Sequence, residues 1–242
     1  MTRFRTIRVH LLWTSVFCVL CLPPALAQDS EANPEPREGF QWGPALQQAG
    51  LFLGIQHAVR IAAEPETREG LKGPFWRDYF TSARSLRGWS DGDSFTVAYI
   101  AHPMEGATCG FIAVQNDPGF RRLEFGRSRP YWVSRLRATA FAALYSEQFE
   151  IGPISQASIG NVQMAPQGTG IVDHVITPVL GLGWMVGEDA LDRYLVRRIE
   201  RWTKHPVPRL LARGILNPTR SFSNVLRGKL PWHRDSRGGV LD

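Results

Sequence analysis

Residues 94–116 constrain the fold most. On a helical wheel Ala98, His102, Glu105, Gly106, Cys109 and Ala113 fall on one side, and Val97, Ile100, Met104, Thr108 and Phe111 on the other. Small residues thus surround two ionisable ones. The pattern predicts a helix that a neighbour can approach closely, with His102 and Glu105 inside the packing and Pro103 kinking the chain beside them. A buried carboxylate costs several kcal/mol unless it is paired. The partners of Glu105 must therefore come from elsewhere in the chain.

The remaining segments also read as helices. Apolar residues recur at helical spacing over 45–62, where Gly50, Gly54, His57 and Ile61 occupy the other face, so this helix is expected to be buried nearly all round. A shorter helix follows over 75–86, and Gly88 to Asp93 reads as a loop with an N-cap signal. Arg129-Pro130-Tyr131 opens a helix to about residue 149, in which Ala140 and Ala143 share a face with Glu147 and Glu150. Residues 151–172 carry no charge but are rich in Gly, Pro, Ser, Gln and Asn, which predicts one long ordered loop rather than a membrane span. Residues 172–187 return to apolar character, and Glu188-Asp189 is expected to open another helix, with acids in its first turn. Two short basic helices are expected over 207–214 and 217–227. No strand-like alternation is long enough to build a sheet, and 43% hydrophobic content is ample for a core. The expectation is all-α: one compact domain of five to seven helices.

The first 27 residues have the form of a signal peptide. Arg3, Arg5 and Arg8 precede an apolar run over 11–22, and Ala25-Leu26-Ala27 supplies the small residues of a cleavage site. The run is too short to span a bilayer, which takes roughly 20 residues. The reading is export to the periplasmic side of a bacterial envelope, with a flexible leader over 28–44, the helical domain over 45–230 and a tail over 231–242. Cys18 and Cys21 would leave with the signal, so Cys109 stays alone and neither an internal disulfide nor a disulfide-linked partner is expected.

Charge is unevenly distributed. Residues 28–192 hold 13 Lys+Arg against 19 Asp+Glu, whereas residues 193–242 hold 12 against 3. Nucleic acid is not a natural partner outside the cytoplasm. Anionic lipid headgroups or other envelope components are, and Arg209, Arg213, Arg220, Arg227 and Lys229 are the expected contacts of a protein peripheral to a membrane.

Chemistry must come from polar residues in apolar segments. His102, Glu105, Glu150, Asp173 and Glu188 are the first candidates, with His57 and Glu147 behind them. His102 and Glu105 have the spacing of a di-metal helix motif, but it occurs once, and there is no HExxH, CxxC pair or H-x-H, so neither a metal nor another cofactor is expected. Ser146, Ser155 and Ser158 lie near Glu147 and Glu150 without a G-x-S-x-G elbow, and Ser155 and Ser158 suit a loop-shaping role.

The order His102-Pro103-Met104-Glu105-Gly106, Ser146, Glu150, Pro153 with Ser155, Asp173, Gly181 and Gly187-Glu188 resembles a bacterial family of exported envelope proteins carrying a domain of unknown function, over about residues 90–230. Phe149 stands where that pattern has tryptophan, and Ile154 separates Pro153 from Ser155. The resemblance implies an envelope location and a helical, membrane-associated body, and brings no reaction with it.

Two readings are open. In the first, the protein is non-catalytic, structural or lipid-contacting, and its buried polar residues form a dry, fully paired network that fixes helix register. In the other, an envelope- or lipid-directed hydrolase or transferase uses His102 as acid or base with Glu105, Glu150, Asp173 and Glu188 around it.

Overall fold

The computed structural model of the protein describes residues 39–159 and 170–240; the expected signal peptide, most of the leader and residues 160–169 of the long loop lie outside the described residues. Helix α1 (Trp42–Ala63) carries Pro44 in its first turn, where backbone N–H groups have no intrahelical partner, and ends where Glu64 turns extended ahead of Pro65. Residues 42–44 thus belong to the helix rather than to the leader. Its buried side is Ala45, Gln48, Ala49, Phe52 and His57, while Leu46 and Leu51 are 58% and 51% exposed. The expectation of burial nearly all round is corrected, because α1 packs on one side only, against the later helices α4 (His102–Gln115) and α10 (Pro218–Leu226).

Two short helices follow, α2 (Pro65–Gly70) and α3 (Phe75–Ala83). The central helix α4 (His102–Gln115) is preceded by one wide π turn (Val97–Ala101), in which the His102 N–H bonds back five residues to the Val97 carbonyl. Proline at 103 has no N–H to continue the normal ladder, so the expected kink takes the form of this widened turn. Residues 105–115 are all buried, since α4 packs against α5 (Arg129–Ile151), α7 (Val172–Leu191) and α10 at once.

Helix α5 (Arg129–Ile151) is capped by the Ser128 hydroxyl, which accepts from Tyr131 N at 3.4 Å. It turns Ala138, Phe141, Ala142, Tyr145, Phe149 and Glu150 inward. Ala140 and Glu147 face outward instead, which corrects the expected shared face. The single-turn α6 (Gln156–Ile159) is closed by Ser155 and Ser158, each hydroxyl accepting the other's backbone N–H, at 3.2 and 2.8 Å. One continuous helix, α7 (Val172–Leu191), replaces the two expected there, so Glu188 sits in its last turns and not at a new N-terminus. A second π turn (Asp192–Val196) leads to α8 (Arg197–Trp202), α9 (Pro206–Ile215) and α10 (Pro218–Leu226).

The fold is all-α: seven helices have nine or more residues, and no strand occurs among the described residues. No helix among them is long and apolar enough to cross a membrane. Phe52, Ile112, Phe141, Tyr145, Met185 and Phe222 form the heart of the core. Helices α4 and α7 meet at backbone distance: a Cβ on Gly181 would lie 2.9 Å from Gly106 Cα, and one on Gly106 would collide with the Thr177 carbonyl. Only glycine permits this crossing.

The basic C-terminal part folds inward. Arg213 is 1% exposed, pairs with Glu200 at 2.5 Å and donates to the Trp232 carbonyl. Arg220 pairs with Asp189, and Arg227 with Asp235 at 2.7 Å. Arg209 is half-buried and reaches the Val240 carbonyl at 3.4 Å, whereas Lys229 is exposed. The expected row of five headgroup contacts is therefore corrected at Arg213, Arg220 and Arg227, whose charges are engaged by acids of the chain itself. The tail is corrected too: Arg234 and Arg237 bind Asp192 at 2.9 and 2.6 Å, and Val240 is buried, so the domain continues through that residue.

Candidate functional site

The widened turn before Pro103 aims His102 across the α4–α7 crossing at the first turn of α7. His102 Nε2 lies 3.2 Å from Asp173 Oδ2, and its Nδ1 lies 3.6 Å from Glu105 Oε2, one helical turn along. All three side chains are buried. The loop over 88–93 closes this corner. Ile171 N and Val172 N donate to the Gly88 and Trp89 carbonyls, and Asp91 Oδ1 accepts from Asp93 N at 2.9 Å. Gly170 permits this docking, since a Cβ there would strike Trp89 and Ser90 backbone. The loop delivers Asp93 Oδ2 to within 4.0 Å of His102 Nε2 and sets Asp91 in hydrogen-bonding contact with the Asp173 carboxyl.

Glu150 joins from the end of α5. Its Oε1 accepts from the Gln156 side-chain amide of α6 at 3.1 Å. Gln56 on α1 bonds Glu105 and also accepts from the Tyr145 hydroxyl.

Burial disfavours charge throughout the cluster. It drives His102 down to about 4, Glu105 up to about 8 and Asp173 up to about 11, with the hydrogen bond to Asp91 and the charge of Glu150 adding to the rise at Asp173. Glu150 is also raised, first by burial and then by Glu105. At neutral pH the imidazole is thus neutral and Glu105 holds a proton. Yet hydrogen bonding is incomplete: His102 Nδ1, Glu105 Oε1 and Asp173 Oδ1 are buried and meet no hydrogen-bond partner among the described residues. Native interiors leave few such atoms. His102 and Glu105 also line a cavity of about 210 Å³, bounded elsewhere mostly by apolar side chains.

No protein-family model matches this chain, and no curated protein or solved structure is significantly similar to it. The chemistry of the site therefore rests on its own atoms.

Of the expected residues, His102, Glu105, Asp173 and Glu150 come together. Glu188 does not join them. Its carboxylate accepts from Thr219 N, Thr219 Oγ1, Arg220 N and Trp184 Nε1 at 2.8–3.1 Å, capping α10 from across the fold. Its candidacy as a catalytic residue is corrected to a structural role. His57 stacks on Phe149 with ring centroids 5.4 Å apart and meets the Ile154 carbonyl at 3.3 Å; burial lowers it to about 4. Glu147 pairs with His174 at 3.0 Å on the surface. The Ser146 hydroxyl donates to the Asp173 carbonyl at 3.3 Å and so steadies the site's backbone. Sequence reasoning missed Asp91, Asp93, Gln56, Gln156 and Arg60, the last lining the same cavity. The only local signal was Asp91-Gly92-Asp93, two acids around a glycine at φ +91°.

Asp93, His102 and Asp173 are also the one group among the described residues whose ligand atoms, all within 4.8 Å of one another, could hold a metal ion. They supply three donors, so solvent or substrate oxygen would complete any coordination shell.

Proposed function

We propose that the protein is an acid–base enzyme of the bacterial cell envelope, with His102 as general base and Glu105 as general acid. The observation that carries this reading is the pair of unpartnered buried atoms, His102 Nδ1 and Glu105 Oε1, on residues that line one cavity. Asp173, held against Nε2, orients the imidazole as a neutral partner: Nε2–H donates to Oδ2, which leaves the lone pair of Nδ1 free to take a proton. A neutral imidazole can take a proton at neutral pH and a protonated Glu105 can give one, which is the division of labour that contrasting environments impose. Glu150 and Asp93 tune the local charge. Glu188, Asp189 and Asp192 elsewhere in the fold have every carboxylate oxygen paired, whereas Glu105 and Asp173 each keep one open.

The envelope location rests on the N-terminal export pattern, and lipid contact is reassigned. Arg198, Arg201 and Lys204 are exposed beside Trp202, which is 83% exposed. Cations flanking an exposed indole suit an anionic membrane surface. Binding to anionic vesicles that weakens with salt and with Arg198→Glu/Arg201→Glu would support that contact, and salt-independent binding would reject it.

The enzymatic reading is tested by incubating the purified protein with an envelope extract and following products by mass spectrometry. Products made by the wild type and lost with His102→Gln and Glu105→Gln are expected. Products that persist in both variants would reject the reading. Activity abolished by a chelator and restored by a divalent ion would transfer the chemistry to a cation on Asp93, His102 and Asp173.

A further inference from the structure

We propose that the cavity beside His102 and Glu105 binds a single-chain amphiphile with an anionic head, the hydrocarbon lying along α1 and the head held by Arg60. The inference names a substrate class for the acid–base site and rests on that reading for any chemistry after binding, but binding itself can be measured separately.

The shape carries the first half. On α1 the lining residues are Phe52, Ile55, Gln56, Val59, Arg60 and Ala63, the i, i+3, i+4, i+7, i+8, i+11 stripe of a single helix face. At 1.5 Å per residue that stripe is about 16 Å long. A cavity that follows it is elongated, which suits a chain better than a ring. Opposite it stand Val97, Ala101, Met104, Phe149 and Phe222. Apolar cavities of roughly 150 Å³ stay dry and take up benzene. At about 210 Å³, this one has room for a somewhat longer hydrocarbon but not for two chains.

Arg60 carries the second half. Its Nε lies 3.4 Å from Glu64, and its NH1 is buried with no acceptor. A guanidinium N–H enclosed in this way is costly, and a carboxylate or phosphate head supplies the missing acceptor in the planar geometry that arginine favours. Arg60 lines the same cavity as His102 and Glu105, so a head bound there shares its space with the two open atoms of the site. Glu64, the ion-pair partner of Arg60, lines the same cavity, so the head competes with Glu64 for the guanidinium.

The test is calorimetric titration of the full-length protein with decanoate, decyl phosphate and decanol, three heads on one chain length. At least one anion is expected to bind about 10-fold more tightly than the alcohol, and Arg60→Gln to erase that margin while decanol affinity stays unchanged. The tighter anion identifies the head as carboxylate or phosphate. Val59→Trp, which fills the cavity, is expected to abolish binding of all three, with an unchanged circular dichroism spectrum as the control for folding. Equal affinity for the three ligands, or an anion preference that survives in Arg60→Gln, would overturn the assignment of the head. No binding to wild-type protein would overturn the whole proposal and leave the acid–base reading to its own extract assay. Binding as expected, without His102-dependent products, would overturn that reading alone.

Discussion

Two buried polar regions lie at the two ends of helix α7, one of them running into the π turn that follows it, and they are built differently. Toward its C-terminal end Glu188, Asp189 and Asp192 have every carboxylate oxygen matched: Asp189 accepts from Arg135, Tyr131 and Arg220, and Asp192 from Arg234 and Arg237. At its N-terminal end Asp173 and the neighbouring Glu105 each keep one carboxyl oxygen without a partner among the described residues. The first region sets each acid against arginines or backbone amides. Burial alone would raise Asp192, but Arg220, Arg234 and Arg237 outweigh it and hold the carboxyl well below its usual range. At the other end burial prevails, over Arg60 in the case of Glu105, and Glu105 and Asp173 keep their protons. A carboxylate surrounded by arginines holds a fold together. Neutral acids beside an uncharged histidine hold protons that can be moved.

The sharpest way to break this comparison is kinetic. His102→Gln should lower turnover of any envelope-derived substrate about 10²–10⁴-fold in a product-release assay, with a melting temperature close to wild type. Next in size, Asp192→Leu strands Arg234 and Arg237 in the interior and should cost about 3–5 kcal/mol, lowering the melting temperature by about 6–20 °C in a calorimetric scan. Asp173→Asn is its counterpart at the open end and should leave the midpoint unchanged or raise it, as substitutions at functional sites often do. An equal fall in both would erase the distinction. Glu188→Gln, losing the cap of α10, should cost about 1–3 kcal/mol, visible as a lower urea midpoint at unchanged slope.

A pH titration separates the regions by sign. Glu105 is raised from 4.5 to about 8, so the fold favours its protonated form, and this contribution is complete at acid pH and lost as pH rises through about 8. Wild-type stability should therefore decline across that window relative to Glu105→Gln. Asp192 and Asp235 are both held low, so their contribution is complete above 3.8 and lost only as pH falls below it. Urea midpoints of wild type and Glu105→Gln that run parallel from acid to neutral pH would contradict the assignment at Glu105.

The central helix was legible because periodicity and side-chain size agree there. His102 and Glu105 share a side at i, i+3, and Gly106 follows where a neighbour must come close. Asp173 and Glu150 could be nominated as acids in apolar surroundings, but their convergence depends on how α5 and α7 cross α4. Asp91 and Asp93 were hidden because a loop has no period, and Arg60 because one arginine at the end of an amphipathic stripe looks like a surface residue. Glu188 was misread for want of its partners, the Thr219 and Arg220 amides, which lie some thirty residues downstream. The basic C-terminal stretch misled for a similar reason. A charge count divided at residue 193 separates Asp189 and Asp192 from the arginines they bind. The segregation that suggested an external anion reflects two parts of one domain that neutralise each other.

The glycine-on-glycine crossing at Gly106 and Gly181 has a consequence for how such a site could diverge. Main chain rests on main chain there, so the separation of His102 from Asp173 is set by a contact with no rotamers to vary, and a single added methyl would act as a shim between the two halves of the site. The opposite wall is under no such constraint. Along α1, Ile55, Val59 and Ala63 face the cavity, away from that crossing. Changes in the molecule being accommodated would accumulate on α1 while α4 and α7 stay fixed, so that one wall serves as the gauge and the other as the adjustable jaw.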